Sequence, residues 1–320
     1  MKKIIIFCGF TFCSFLLYFV NLNAFANIGE NTFANSSGKK HFTGIAIHRG
    51  TADFSYKTPA AGSILRWSDM KTRGVGGSYQ FKAKSNIALG VDLSYSQIQS
   101  GFGTDDDMTN VTDYTLNAYG MSNGSVSGTW MAFSIHQVKG RMLDFNPFVK
   151  ISANKYFDYG FGYSRKEHSY QMLGGYGAYY ELPNNFIYLS KFKGNTQFTK
   201  ATMQTIFASA DFHPSENITF YMQAHTGTYK GDNDWQTYKW SLKSSSNYRP
   251  KNGYGFVFGL KGTSKINNKL LLTYFASIEQ FQFKDLHENN LGYGGDYHLP
   301  SNYPSYVKFN RTNIGLGLAF

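Results

Sequence analysis

The stretch from Asn313 to Phe320 alternates small or polar side chains with apolar ones and stops on a phenylalanine. Successive side chains of a strand point to opposite faces, so Ile314, Leu316, Leu318 and Phe320 form one apolar face and Asn313, Gly315, Gly317 and Ala319 the other. One face suits lipid, and the other is too small and polar to be a second apolar layer. This is the pattern of the closing strand of an outer-membrane β-barrel.

The opposite end predicts export. Lys2 and Lys3 precede an apolar run from Ile4 to Val20, and Ala24, Phe25 and Ala26 supply a small, any, small cleavage site. Residues 1–26 therefore read as a signal peptide, 27–41 as a flexible periplasmic lead-in and 42–320 as one barrel domain. No later stretch approaches the roughly 20 apolar residues of a helical span. Both cysteines, Cys8 and Cys13, fall within the leader. A cysteine-free exported chain needs another source of stability, and a closed hydrogen-bonded barrel is one. Taking the leader's two lysines from 31 basic residues leaves 29 against 20 acidic ones, a net charge of +9. In an exported barrel the anionic partners are lipopolysaccharide phosphates at the rim and acidic solutes in the lumen, not nucleic acid. Lys139 with Arg141, Arg165 with Lys166, and Lys191 with Lys193 read as a solvated rim.

Further segments repeat the alternation. Ile87, Leu89, Val91, Leu93 and Tyr95 interleave with Ala88, Gly90, Asp92, Ser94 and Ser96; Phe157, Tyr159, Phe161 and Tyr163 interleave with Asp158, Gly160, Gly162 and Ser164; and Tyr254, Phe256, Phe258 and Leu260 form a third such row. A soluble sandwich would put its apolar bulk inward, yet here the aromatic row is too continuous to be left in water. Short polar breaks (82–86, 121–125, 154–156, 213–217, 265–269) alternate with long ones (99–111, 170–197, 231–251, 284–304). The fold class is all-β: a transmembrane antiparallel up-and-down barrel of about 12 strands. These lie near 42–57, 62–81, 86–98, 112–121, 126–138, 146–154, 157–169, 197–211, 217–230, 252–264, 269–283 and 305–320. If 112–121 and 126–138 form a hairpin within a loop, the number is ten. A single-chain bacterial barrel requires an even number either way.

Two acidic clusters occupy loop positions: Asp105, Asp106 and Asp107, and Asp232 with Asp234. Paired carboxylates across a cleft can hold and activate a water. With Ser63 to Trp67, Gly162 to Tyr176 and the alternation up to Phe320, these residues resemble the omptins, ten-stranded outer-membrane proteases that set an aspartate pair against an aspartate and histidine pair. The resemblance implies that Asp105 and Asp107 match the aspartate pair, Asp234 the aspartate of the second pair, and Asp53 and Asp232 the acids that bind a basic substrate side chain. The family's histidine is replaced by Gln236, which cannot act as a general base near neutral pH. His225 lies on the same strand but roughly 35 Å away at ~3.3 Å per residue. His41, His48, His136, His168, His213, His287 and His298 show no metal-site spacing. No phosphate loop, serine motif or cysteine nucleophile is present, and no cofactor is implied.

The leading functional expectation is therefore a channel for passive diffusion of small hydrophilic solutes, with a mild anion preference. Its lumen would be lined by Asp92, Lys150, Asp158, Lys166, His225 and Lys261 and leave room for water beside many Gly, Ala and Ser residues. In length, leader, aromatic richness and basic charge the chain is also similar to the small porins of chlamydia-related amoeba symbionts. An omptin-type endopeptidase and an adhesin are the alternatives. The expected location is the outer membrane of a Gram-negative-type bacterium, in contact with its lipid and lipopolysaccharide.

Overall fold

The computed structural model describes residues 40–58, 63–111, 128–181, 186–237, 240–248, 253–267, 270–291 and 305–320. The expected leader, most of the lead-in and the expected strand at 112–121 lie outside these residues. His41, assigned to the lead-in, already opens the first strand.

The chain forms one antiparallel sheet closed on itself. Its strands are β1 (His41–Thr58), β2 (Ser63–Lys84), β3 (Ile87–Val111), β4 (Gly128–Ser152), β5 (Phe157–Glu181), β6 (Phe186–Ser215), β7 (Ile218–Thr237), β8 (Trp240–Tyr248), β9 (Gly253–Lys265), β10 (Leu271–Leu291) and β11 (Ser305–Ala319). The ring closes where β1 pairs with β11, Gly44 opposite Ala319 and Tyr56 opposite Val307. Strands β8 and β9 both lie between β7 and β10: β8 pairs with their upper parts and β9 with their lower parts. They are two pieces of one stave, so the barrel has ten staves. The number is ten, the alternative to twelve, because the segments near 126–138 and 146–154 are one strand, β4, and because β3 pairs directly with β4, leaving no place in the ring for a stave near 112–121. Lys139, Gly140 and Arg141 read as a break only because their outward positions turn from apolar to basic.

Short turns at 85–86 and 216–217 lie at one end, where Thr43 and Phe320 exchange backbone hydrogen bonds of 3.1 and 3.0 Å. In outer-membrane barrels the short turns face the periplasm. About 9–11 tilted residues cross the hydrocarbon layer, whereas β3, β4 and β5 each have 25. The wall therefore stands well clear of the membrane on the extracellular side. Segments 99–111, 170–181 and 231–237, expected to be loops, are strand.

The strands keep their alternation along their length, but the chemistry of the two faces exchanges. Near the periplasmic end Ile45, Ile47, Val75, Leu93, Leu143, Phe161, Ile206, Phe256 and Phe258 are exposed on the outer wall. On β4 this apolar row runs from Ile151 to Leu143, a length suited to one crossing of a bilayer. Above it the exposed positions become Arg141, Lys139 and Gln137, and the buried ones Met142 and Val138. β10 makes the same change within a few residues. Ile278 faces out and Glu279 in, then Gln280 faces out and Phe281 and Phe283 in. In the membrane the barrel is apolar outside and polar inside; in the rungs directly above it the order reverses, and higher still Phe102, Phe133, Ile135 and Tyr176 are exposed again. The lipid-facing belt, the closed sheet and the turn pattern make this an outer-membrane protein.

Candidate functional site

At membrane level the lumen holds charge. Lys166 on β5 donates to Glu279 on β10 at 2.8 Å, and its Nζ lies 3.5 Å from Asp144 on β4. Arg311 on β11 donates through Nη2 to both Glu279, at 2.5 Å, and Asp144. Two acids and two bases from facing walls thus form one neutral, buried cluster across the barrel. A buried charge is tolerable only when paired in this way. Nearer the periplasm Lys150 donates to Asp211 at 2.6 Å, and His213 Nε2 lies 3.1 Å from Asp158. Between these layers is a cavity of about 100 Å³ reached by Asp92, Asn146, Ser164, Lys261 and Arg311 among others. A polar cavity of that size holds a few waters.

Immediately above the charges, the lumen is closed by side chains. Phe54 on β1 packs on Trp67 of β2, Tyr170 of β5 and Tyr229 of β7, with ring centroids 5.2, 4.9 and 6.4 Å apart. Tyr229 reaches Phe283 of β10 at 5.7 Å, and Phe309 of β11 meets Phe281 at 6.3 Å. Met70, Met142, Met172 and Met203 fill the gaps, all at most 1% exposed. Contacts between β1 and β7 cross the barrel, so this layer is a septum and not a lining. The apolar wall residues that have no lipid to face at this height find their partners here.

All six residues expected to line a pore lie inside the barrel, and Lys166, His225 and Lys261 border the polar cavity together with Asp92. Lys150, Asp158, Lys166, His225 and Lys261 are 3–6% exposed. His225 is held by Thr205 at 3.0 Å and Gln223 at 3.1 Å, and Lys261 lies 4.0 Å over the Tyr221 ring. Asp92 reaches the cavity. Above them the septum crosses the lumen, and small residues of the wall make room for large side chains opposite them. A Cβ on Gly255 would strike Phe281, and one on Gly259 would strike Tyr221.

The register also redistributes the acids carried over from the omptin resemblance. Asp105 pairs with Leu65 and Ser134. Asp107 pairs with Ser63 and Ala132. Asp232 pairs with Lys200 and Asp234 with Phe198, in an unbroken register from Lys230. Gln236 falls two positions further along the same row, opposite Ser241. Asp53 is exposed on the outer wall, where its Oδ1 accepts a 2.8 Å hydrogen bond from the backbone N–H of Asp69. That bond supports the bulge between β1 and β2, where Asp69 has φ 50°.

Two features escaped the sequence. Arg49, Arg73, Gln97, Arg141, Ser169 and Lys200 are consecutive cross-strand partners on the outer wall. They form a basic rung directly above the lipid-facing rung of Ile47, Val75, Tyr95 and Leu143. In addition, His136 bonds Ser134 on the same strand. Spacing of two on a strand was the available signal. Among the described residues no three His, Cys, Asp or Glu side chains lie close enough to hold a metal.

The fold has known counterparts. It is similar to the outer membrane protease OmpT of Escherichia coli, with a TM-score of 0.60 over 90% of this chain and 99% of that one at 11% identity. Two further similar structures are the toluene transporter TodX of Pseudomonas putida, at TM-score 0.36 and 8% identity over 92% and 95% of the two chains, and the translocator domain of the autotransporter NalP of Neisseria meningitidis, at 0.37 and 12% over 90% of each. No protein-family model and no curated protein matches the sequence. At 11% identity the first likeness is one of fold: a closed ten-stranded barrel of omptin type.

Proposed function

We propose that the protein is a closed outer-membrane barrel that acts at the cell surface, through the part of its wall that stands above the lipid. The observation that carries this reading is the septum. Rings from β1, β2, β5, β7, β10 and β11 meet across the lumen, and Trp67, Phe54, Tyr170, Phe283 and Phe309 are at most 1% exposed. Diffusion of a hydrophilic solute needs a continuous wet path, and a layer packed to this degree offers none. Planar-bilayer recording of the refolded protein tests it. The expected result is a membrane that stays silent. Stepwise conductance that scales with salt would overturn the closed lumen and favour a channel for small hydrophilic solutes, with anion preference the further expectation from the basic excess.

The outer wall supports a partner for this surface. Arg49 and Arg73 stand directly opposite one another, and like charges so placed repel unless an anion lies between them. Lys139 and Arg141 border a groove of about 430 Å³ with Tyr95, Gln97, Gln171 and Phe198. Lying one rung above the lipid belt, the arrangement suits the phosphates of an outer-leaflet glycolipid, with the aromatic side chains beside its sugars and upper acyl carbons.

A further inference from the structure

The extracellular half of β4 contains a serine and a histidine in a chemically specific relation. Ser134 and His136 are both buried and share the inner face, two residues apart. His136 Nδ1 lies against the backbone carbonyl of Gly174, which can only accept, so Nδ1 carries the proton and donates it. That leaves the lone pair of Nε2 facing Ser134, whose hydroxyl donates to it at 2.8 Å. The tautomer is therefore the one in which the imidazole accepts a proton from serine while its far side is held by an oxygen.

The backbone is shaped to make this contact. The pairing of β4 with β5 shifts register between Ile135 and Gln137, so His136 sits at a bulge. Opposite it Gly174 and Gly175 have φ of 54° and 121°. A Cβ on Gly175 would lie 2.8 Å from His136 Nδ1. Only glycine lets the β5 backbone come close enough to grip the ring, and bulges of this kind re-aim side chains. Burial pushes the His136 imidazole below its ordinary range and so favours its neutral form, with the Gly174 bond working in the other direction.

The surroundings suit an acyl group. His136 shares a rung with Trp67 across Gly103, and Ser134 shares one with Leu65 across Asp105. Trp67, Leu65, Val138 and Met172 belong to the apolar cluster that forms the top of the septum. The pair thus stands over an apolar floor on the extracellular side of the closed lumen.

We propose that Ser134 and His136 are the nucleophile and base of an esterase site, acting on carboxylic esters with an apolar acyl chain. Ser134 Oγ attacks the ester carbonyl while its proton passes to His136 Nε2. The acyl–oxygen bond breaks and the proton leaves on the alcohol. Water, deprotonated by the same nitrogen, attacks the acyl-serine, and the free acid departs as Ser134 recovers its proton. No oxidant, metal or second substrate is required.

A small fluorophosphonate, which reacts with a serine only when a base activates it, is the probe. The full-length barrel is refolded in detergent, and folding of every variant is verified by the altered gel mobility of the unheated protein. The expected result is one phosphonate per chain on Ser134, mapped by mass spectrometry, with hydrolysis of a short-chain nitrophenyl ester abolished by the same treatment. Ser134→Ala should take no label, and His136→Ala should fold yet react at least about a hundredfold more slowly, the usual share of a general base. A folded native barrel that takes no label overturns the proposal, as does equal labelling of the His136→Ala variant. This outcome is separate from the bilayer result: a conducting barrel that is labelled on Ser134 would remove the closed lumen and keep the esterase.

Discussion

Two layers of one lumen lie next to each other and are held together by opposite means. The lower, Asp144, Lys166, Glu279 and Arg311, is a set of ion pairs; the upper, Phe54, Trp67, Tyr170, Tyr229 and four methionines, is an apolar core. The wall around them explains the contrast. Where the outer face meets lipid, burying apolar groups inside gains nothing over leaving them in the bilayer, and the interior is free to be polar. Where the outer face meets water, the hydrophobic effect returns and draws the apolar row inward. The crossover falls on successive residues: Asn310 is exposed and Arg311 buried on β11, with Phe309 beginning the septum and Ile314 the belt.

The largest expected effects come from breaking each layer separately. Arg311→Met leaves two buried carboxylates to share Lys166 and should cost about 3–5 kcal/mol of unfolding free energy. Trp67→Ala opens a cavity in the septum and should cost a similar ~3–5 kcal/mol. The layers should part company on rescue. Replacing Asp144, Lys166, Glu279 and Arg311 together by Leu or Met removes all the charges at once and should return most of the stability, because whole buried ion clusters are often replaceable by apolar groups. No second change of charge should rescue Trp67→Ala. Urea titration of the refolded barrel in lipid vesicles measures all three. A quadruple variant as unstable as Arg311→Met would show that the lower lumen depends on its charges and break the comparison.

The boundary between the layers is marked outside by the basic rung. If Arg49 and Arg73 are paired through a phosphate, removing both should weaken glycolipid binding by about 2 kcal/mol, on the order of one per basic residue at a charged surface. The measurement is the rise in melting temperature of the detergent-solubilised barrel on adding lipid A, compared between the native chain and Arg49→Ala/Arg73→Ala. Equal rises would place the phosphates elsewhere on the wall. A rise that disappears for the dephosphorylated lipid would identify the charge as the recognised feature.

The lower barrel was legible because lipid imposes one rule on every stave. Phe157, Tyr159 and Phe161, or Tyr254, Phe256 and Phe258, announce an outward apolar row, and each is exposed as expected. The rungs just above the lipid obey the reversed rule. Gln280, Gln282 and Lys308 on the outside, with Phe281, Phe283 and Val307 within, resemble loop sequence when searched for a lipid face. The same reversal cut β4 at Lys139 to Arg141. The cross-barrel pairs are beyond sequence pattern altogether. Asp144 and Arg311 stand 167 residues apart and meet only because the ring closes in one register. For the Ser134 and His136 pair the shared face was readable from spacing. The Gly174 carbonyl that selects the tautomer comes from a bulge on the neighbouring strand, which spacing does not reveal.

The smallest effect belongs to Asp53, and it tests how far the upper wall resembles the surface of a soluble protein. Its carboxylate accepts from the Asp69 N–H, one bond on an exposed face, at a residue whose φ of 50° is costly for most side chains and tolerable for Asp. Asp53→Ala should therefore cost about 1 kcal/mol, the net worth of an ordinary hydrogen bond. Asp69→Gly should offset part of that loss, since glycine adopts positive φ without strain. Urea titration of the single and double variants reads both. A loss from Asp53→Ala comparable to that from Trp67→Ala would mean that the outer wall above the membrane is itself a packed interface, and that a partner or a second copy of the chain covers it.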